Sequence, residues 1–558
     1  MNDKKTGYPS IDKTHLQGID PTKLRQQRKV FLSWFGLFNL ISAKTMNQLA
    51  LIEGNRFYTK KNLRDDVLVM AKALLLNGLA RGDKLAIVTP NSYKGIVLAF
   101  AANAIGIGVA YLNPLDSLER IIEELKFYEA DAVAIHETDK KRTKMFKKHV
   151  PSLKVVINTT GSNCPDERSY VSYEVAKYEA ESSKKNVWPK ILRNLFNKND
   201  LLYLQTSGST SGVPKKITFG NDSVFAYLMS VKDSTGIRTN GADVKRALCV
   251  LPYRLPYGWM GIFSNIFGGN PVDLATSWEP EDIAKWHERE ITHGYLTPAI
   301  IQSLMDNTPE DADLSSWKVI YSAGFATSEG LIRRAKEFFA RHNAPNINIY
   351  PSYGMGEMLC AGTVMNRVGY KPGTTGVFYY GLETLIVDDE MKEVKYDETG
   401  LLLMRGATMF RGYYKDEEAT KKMFVEVRGK KWLRTGDFGS LAEDGRWSPK
   451  GREKRFFQPF GATDKVNCAT IEEALGNVSI VKKCGVAICS PDDKYDEGWA
   501  FVVLENGVEK SEGIKESIYS QLRNKLLDYQ LPAKIKFLDA LPMLESGKPD
   551  YQALEKMC

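Results

Sequence analysis

Short apolar runs bounded by turn residues recur along most of the chain, separated by longer segments whose apolar positions return every three or four residues. "DKLAIVTP", "GVAYLN", "DAVAIH", "KVVINT", "LLYLQ", "RALCVLP", "WKVIYSAG" and "NINIYPSYG" have the length and β-branched character of buried strands. "SLERIIEELKFY", "EPEDIAKWHERE" and "SEGLIRRAKEFFARH" carry the helical period. Alternation of this kind predicts an α/β architecture with largely parallel sheets. Between about 370 and 450 the runs shorten, and "ETLIVDD", "GLLLMRG" and "GRWSPKG" predict a small β-rich subdomain. After "GREKR" the chain returns to mixed α and β, which places a boundary at Arg452–Lys454 and divides the protein into 1–452 and 453–558.

Composition adds little to this picture but excludes several classes. The 558 residues are 43% hydrophobic and 26% charged, as in an ordinary globular protein, and +8 is a mild net charge at this length. That charge suits an anionic substrate such as a nucleotide and lacks the dense basic stripe of a nucleic-acid binder. Seven scattered cysteines do not make a disulfide framework, and Cys484 and Cys489 are expected as small core residues of a strand. Six histidines show no zinc spacing. The N-terminal residues carry no apolar run of a signal peptide. "GIVLAFAANAIGIGVAYL", from Gly95, approaches the length of a membrane span, but Asn103 and its glycines make it a buried helix running into a strand. A cytoplasmic protein without stable membrane insertion is expected. "DKKRTKMFKKH", Asp139–His149, reads as a solvated basic helix face.

Candidate chemistry begins at "TSGSTSGVPKK", 206–216, between the predicted strands "LLYLQ" and "KKITF". Glycines let backbone N–H groups converge on phosphate oxygens, hydroxyls add donors, and Lys215 and Lys216 add positive charge. The run is not a Walker loop, and alone it reads equally as a flexible connection. Four further fragments follow in order: "PSYGMGE" at 351–357, "RTGDFG" at 434–439, "GREKR" from Gly451, and "ESGKPD" at 545–550.

Together these fragments resemble the adenylate-forming superfamily of acyl-CoA synthetases, luciferases and nonribosomal peptide synthetase adenylation domains. "GTTGV", "DETGLLLMRGATMFRGYYKDEEAT", "TIEEAL" and "LPMLESGKPDYQAL" extend the resemblance from about residue 45 to the end. It implies a large N-terminal domain of stacked mixed sheets with a small β-barrel-like piece, and a small α+β C-terminal domain that rotates over it. It also implies two reactions: a carboxylate attacks the α-phosphate of Mg-ATP, and the acyl group then passes from the adenylate to a thiol.

Transferred residue by residue, the resemblance assigns the leaving pyrophosphate to Thr206, Ser207, Gly208, Ser209, Thr210, Ser211, Gly212 and Lys215. Glu357 takes Mg2+, and Tyr353 offers a face to adenine beside the turn holding Gly324 and Phe325, flanked by Ser352, Gly354 and Met355. Asp437 accepts from the ribose hydroxyls, and Arg452 reaches ribose or phosphate. Lys548 bridges the acyl carboxylate and the α-phosphate during adenylation, which makes it, with Glu357 and Thr206, a catalytic candidate. Rotation about Lys454 then withdraws Lys548 and brings the loop around Gly461 to the pantetheine channel. Tyr257, Gly258, Trp259, Met260, Phe263 and Met358, with Phe325, are expected to wall the acyl pocket. No aspartate stands in "PYGWMGIF" to pair a substrate ammonium, so a fatty or aromatic acid is expected rather than an amino acid.

CoA is the expected acceptor, because no carrier domain is fused to the chain. A ligase loading the phosphopantetheine of a separate acyl or peptidyl carrier protein is the alternative, and a non-catalytic nucleotide-binding relative is a third reading. Four departures stand out. The 206–216 loop has one extra residue, around Ser211; Gly356 replaces the usual threonine; and Leu255 replaces a frequent histidine. The segment 456–473 is about two residues long for the family, with Gln458 where lysine is common.

Overall fold

The apolar runs expected as strands are the rungs of two large sheets in a computed structural model of the chain. It describes residues 6–12, 32–161, 169–197, 200–205, 215–235, 245–324, 326–365, 368–457, 459, 466–490, 496–544 and 548–558. The first sheet runs, in spatial order, Asn348–Pro351, Val319–Ser322, His293–Leu296, Ala247–Cys249, Val272–Leu274, Leu49–Glu53 and Arg56–Thr59. Only the last pairing is antiparallel. The second has eight strands: Gly412–Tyr413, Lys216–Gly220, Asp200–Gln205, Gly108–Tyr111, Lys84–Val88, Ala132–Ile135, Val155–Asn158 and Tyr170–Ser172. Its first two pairings are antiparallel and the rest parallel.

Side chains alternate across these sheets and so feed different cores. Leu85 and Ile87 face the helices Trp34–Ser42, Lys60–Leu76, Tyr93–Ala104 and Pro256–Gly268, which fill the space between the sheets. Ala86 and Val88 face the other way, toward Ile121, Leu125 and Phe146. Ile320 and Ile349 of the first sheet meet Ile300, Leu304, Leu331 and Phe338 on its outer side. The result is five alternating layers of helix and sheet.

The long apolar run is the helix Tyr93–Ala104 followed by the strand Gly108–Tyr111, all of it buried. Asn103 is accommodated because it accepts from Trp34 N at 2.9 Å and donates to Asn221 at 2.8 Å. Among the described residues no helix is long and apolar enough to cross a membrane. The basic segment is the helix Lys140–His149, capped by Asp139. One helix departs from expectation: "EPEDIAKWHERE" becomes the short turns Pro280–Ile283 and Trp286–Arg289. Its buried residues, Ile283 and Trp286, are three apart, a spacing that 3₁₀ geometry places on one side.

Residues 382–452 form a five-stranded antiparallel sheet: Leu382–Val387, Gly400–Gly406, Lys430–Leu441 and Phe424–Val427, with Trp447–Arg452 also paired to Lys430–Leu441. A C-terminal lobe follows, in which Val481–Cys489, Glu497–Leu504 and Lys534–Phe537 form a sheet covered by Cys468–Gly476 and Glu512–Arg523. The lobe touches the body at Lys482–Asp306 (2.9 Å) and Arg334–Glu505 (3.8 Å), and where Gly330 lies against the Gly476 carbonyl. Cys489 is not a free core thiol. It is bonded to Cys558, 69 residues on, because the terminal helix Tyr551–Glu555 packs along Val481–Cys489. That separation hides the pair from sequence spacing.

Candidate functional site

The polar site lies where the first sheet, the antiparallel sheet and the lobe meet. Strands Val319–Ser322 and Asn348–Pro351 end side by side, and Ser352 N donates to Ser322 O at 2.8 Å. This sets Gly324 (φ +103°) beside Ser352 and Tyr353. Across from them, cross-strand register puts Asp437 opposite Arg452.

Asp437 is buried and held on both oxygens. Tyr353 Oη donates to Oδ2 and Arg452 Nε to Oδ1, each at 2.7 Å, while Asp437 N donates to Thr435 Oγ1 at 3.0 Å. Burial and then the carboxylate push the Tyr353 hydroxyl far up, so it stays a donor. The same carboxylate raises Arg452, whose side chain remains 60% exposed and open to a further anion.

Glu357 sits in the 3₁₀ turn Gly356–Met358 and accepts from Tyr413 Oη at 2.6 Å. Lys215 Nζ lies 4.5 Å from the centre of the same tyrosine ring, so Tyr413 links the lysine that closes the hydroxyl-rich run to the carboxylate. Lys216 does something different. Its ammonium is buried in an ion pair with Glu124 at 2.6 Å, reinforced by Arg120, and burial lowers its pKa. Of the two adjacent lysines, only Lys215 faces the site.

Lys548 reaches the site from the C-terminal lobe. A Cβ built on Gly324 would stand 3.9 Å from Lys548 Cε. Burial first, and then the Arg452 cation, push the Lys548 amine down to about 8, against the opposing pull of Cys360, Asp437 and Glu357. Its neighbours are therefore both carboxylates and the guanidinium.

The turn after Glu357 is conformationally unusual. Leu359 (φ +54°) and Cys360 (φ +59°) are consecutive left-handed residues, held by Leu359 N to Gly356 O at 2.8 Å and Cys360 N to Met355 O at 2.9 Å. Burial pushes the Cys360 thiol up to about 12, so it is an uncharged wall and no nucleophile at neutral pH. Gly354 packs on the Cys360 carbonyl, and Met358 is fully buried. Gly356 has a steric reason: a Cβ there would meet Ile217 Cδ1 at 2.9 Å and Pro256 Cγ at 3.3 Å. A threonine there, the residue the resemblance expects, would need the Ile217 Cδ1 to move aside.

Trp259 and Phe263 of the expected acyl wall turn away from the site. Their rings stack at 4.5 Å and pack on Trp34 in the inter-sheet core. The helix Pro256–Gly268 instead presents Tyr257, Met260 and Ser264, spaced three and four apart, on its other side. Gly258 lies against the Pro252 carbonyl, and Tyr257 Oη donates to Tyr321 O at 2.8 Å. Tyr227 is fully buried, and its hydroxyl has no protein partner among the described residues. Burial, then Tyr379, Cys360, Tyr295 and Tyr257, push that hydroxyl far up.

Thr206, Ser207, Gly208, Ser209, Thr210, Ser211, Gly212, Phe325, Gln458 and Gly461 lie outside the described residues. So does the side chain of Lys454, whose backbone falls in the turn Glu453–Arg455. The run "GMGEMLC", 354–360, belongs to the expected acyl wall and so includes Cys360; sequence reasoning missed Tyr413 and Tyr227. Tyr413 stands within "MFRGYYKDEEAT" at a strand edge, a signal available but unread; Tyr227 gains meaning only from its neighbours in space.

Comparison with known proteins accords with this arrangement. The sequence pattern of the AMP-binding enzyme family matches residues 39–414, and that of the AMP-binding enzyme C-terminal domain matches 470–548. The chain belongs to this family of AMP-forming ligases. A probable CoA ligase of Humulus lupulus is 25% identical over 98% of this chain and 96% of its own. A 2,3-dihydroxybenzoate-AMP ligase of Bacillus subtilis (strain 168) is 26% identical, covering 92% of each chain. Among solved structures, an anthranilate CoA ligase in complex with anthranoyl-AMP superposes with TM-score 0.80 at 19% identity, covering 95% of this chain and 98% of that one. An amide bond synthetase from Marinactinospora thermotolerans gives 0.76 at 19% identity, with 94% and 99% covered.

Proposed function

We propose that the chain activates a carboxylic acid with ATP, releasing pyrophosphate, and passes the acyl group from the adenylate to CoA. The observation that carries this reading is Lys548, an ammonium brought by the lobe into a buried space beside Glu357, Cys360, Asp437 and Arg452. Adenylation gathers negative charge as the acid oxygen approaches the α-phosphate, and a preset cation offsets it most where water is excluded. Asp437, fixed by Tyr353 and Arg452, would accept from the ribose hydroxyls through its remaining lone pairs. Glu357 gives one oxygen to Tyr413 and keeps the other; a lone carboxylate suits Mg2+, which is held mainly by phosphates and water. Bound there, the ion would neutralise charge on the phosphate oxygens. Lys215 would supply positive charge to the leaving pyrophosphate, the group to which the resemblance also assigns the 206–212 run.

The hinge reading draws support from two pairs on either side of Lys454. Glu453 is tied to Arg434 of the body, and Arg455 to Glu472 of the lobe at 2.8 Å. Motion confined to residue 454 would keep both pairs. Among acids, the tyrosine-rich surroundings favour a compact aromatic substrate over a long fatty chain. Tyr295 and Tyr321 stack at 5.1 Å, and a polar ring substituent would satisfy the Tyr227 hydroxyl. Incubation with ATP, Mg2+ and a panel of aromatic and fatty acids tests the reading. Pyrophosphate release with thioester formation when CoA is added supports it. Adenylate without thioester would point to a carrier protein as acceptor, and no pyrophosphate from any acid would overturn catalysis.

A further inference from the structure

The edge of the second sheet opposite the chemistry carries a feature that acyl activation does not use. Strands Lys84–Val88, Gly108–Tyr111 and Asp200–Gln205 run parallel, and the "TSGST" run follows Gln205 at one edge. At the other edge the helices Lys60–Leu76, Tyr93–Ala104 and Trp188–Asn194 come to their C-terminal ends together. There a cavity of about 250 Å³ is floored by Leu75 and Ile105 and rimmed by Arg81, Lys185, Lys190 and Arg193. None of these four cations has an acidic partner among the described residues, and only Lys185 reaches a helix-end carbonyl, Leu75 O at 3.2 Å. Between Ser182 and Asn199 the sequence contains five basic residues and no acidic one.

Beside the cavity stand large apolar side chains turned to solvent. Trp188 is 45% exposed, Leu192 62%, Leu40 67% and Leu76 43%. Trp188 and Leu192 are one helical turn apart. Leu40 lies one turn beyond Gly36, the residue of its helix that meets Leu195. Burying these side chains inside the fold would have been favourable, and their exposure beside cations with no acidic partner among the described residues points to a partner that is both apolar and anionic.

We infer that this edge docks the protein on an anionic phospholipid surface, with the rim cations on headgroup phosphates and Trp188, Leu192 and Leu40 in the interfacial layer. Tryptophan and leucine on one face, with lysine and arginine flanking it, is the pattern of segments that lie in a membrane interface without spanning it. None of the lobe's contacts with the body named above, at Asp306, Arg334 and Gly330, involves a rim residue.

Co-sedimentation of the full chain with vesicles of phosphatidylcholine plus phosphatidylserine, against phosphatidylcholine alone, tests the inference. Binding is expected to the anionic vesicles only, and to weaken with salt. Lys190→Glu with Arg193→Glu should lower the partition coefficient roughly tenfold or more. Trp188→Ser with Leu192→Ser should also lower it. All variants should keep the parent's melting temperature and its pyrophosphate release from a soluble acid. Vesicle binding that is absent, or unchanged in both variants, overturns the proposal. Inorganic phosphate binding by calorimetry without vesicle binding would also overturn it, leaving a site for a soluble anion. A concentration-dependent dimer abolished by Trp188→Ser with Leu192→Ser would overturn it in favour of contact between copies.

Discussion

The body and the lobe supply charge to the candidate site in opposite ways. Within residues up to 452, both carboxylates are already positioned. Asp437 is gripped by Tyr353 and Arg452, and Glu357 by Tyr413; Arg452 and Tyr413 lie on strands of two different sheets, and Tyr353 lies just past a strand of a third. The lobe contributes Lys548, whose charge is disfavoured by burial and by Arg452 until more negative charge arrives. On the proposed function, the body is preorganised for its ligand, whereas the lobe's ammonium, disfavoured by burial, would gain most once ATP and the acid filled the site. If the lobe moves as proposed, such a division would let one small rigid-body motion switch the chemistry without rebuilding the body's side of the site.

Removing the lobe's contribution should break this contrast most severely. Lys548→Ala is expected to lower adenylation on the order of 10²–10³-fold, the usual loss for one transition-state donor, with transfer from supplied acyl-adenylate to CoA preserved. Lys454→Pro, which stiffens the linker between the two anchoring pairs, should show the reverse. Single-turnover assays of each half-reaction would expose the failure: equal damage to both steps in both variants contradicts a switching lobe.

On the body side, Glu357→Gln keeps an acceptor for Tyr413 and deletes the charge. Pyrophosphate release should fall roughly tenfold to a hundredfold, with a raised requirement for Mg2+, as expected for losing one charge-assisted contact of about 1.5–3 kcal/mol. An unchanged Mg2+ titration would move the metal elsewhere.

The depressed amine of Lys548 gives the contrast a pH signature. If adenylation uses the ammonium as proposed, kcat/KM for ATP should decline as pH rises through about 8. Docking of the lobe without ligand should respond in the opposite sense. A lysine free in solvent keeps its proton to about 10.5, so between 8 and 10.5 the undocked state holds more protons and docking strengthens as pH rises. Proteolytic protection of the linker measured across that window would separate the two trends, and a flat kcat/KM profile would refute the assignment.

A smaller effect is expected at Gly356. Gly356→Thr should destabilise the body by about 1–3 kcal/mol through overpacking. Ile217→Val removes the clashing Cδ1 and should recover part of the loss in the double variant. Strictly additive unfolding energies would show that Ile217 is not the obstacle. Least consequential is the Cys489–Cys558 bond: reduction should release two additional titratable thiols and leave adenylation unchanged.

Local order was legible without coordinates. Period and turn residues marked the parallel strands, the small antiparallel sheet and the mixed lobe, because burial on a sheet or helix face imposes its repeat on neighbouring residues. The polar fragments carrying Tyr353, Glu357, Asp437, Arg452 and Lys548 were likewise visible, since each lies in a short run with its own turn signal. What each side chain touches was settled only in three dimensions. Adjacent lysines diverged because Glu124, on a distant helix, captured Lys216 and left Lys215 to Tyr413. Trp259 and Phe263 went to the core because helix rotation, set by contact with Trp34, selected which stripe faces inward. Gly356 depends on Ile217, and Cys489 on Cys558, each partner more than 60 residues away. Sequence patterns record which atoms must leave water; which atoms then meet follows from how whole elements pack, and no local run of residues contains that information.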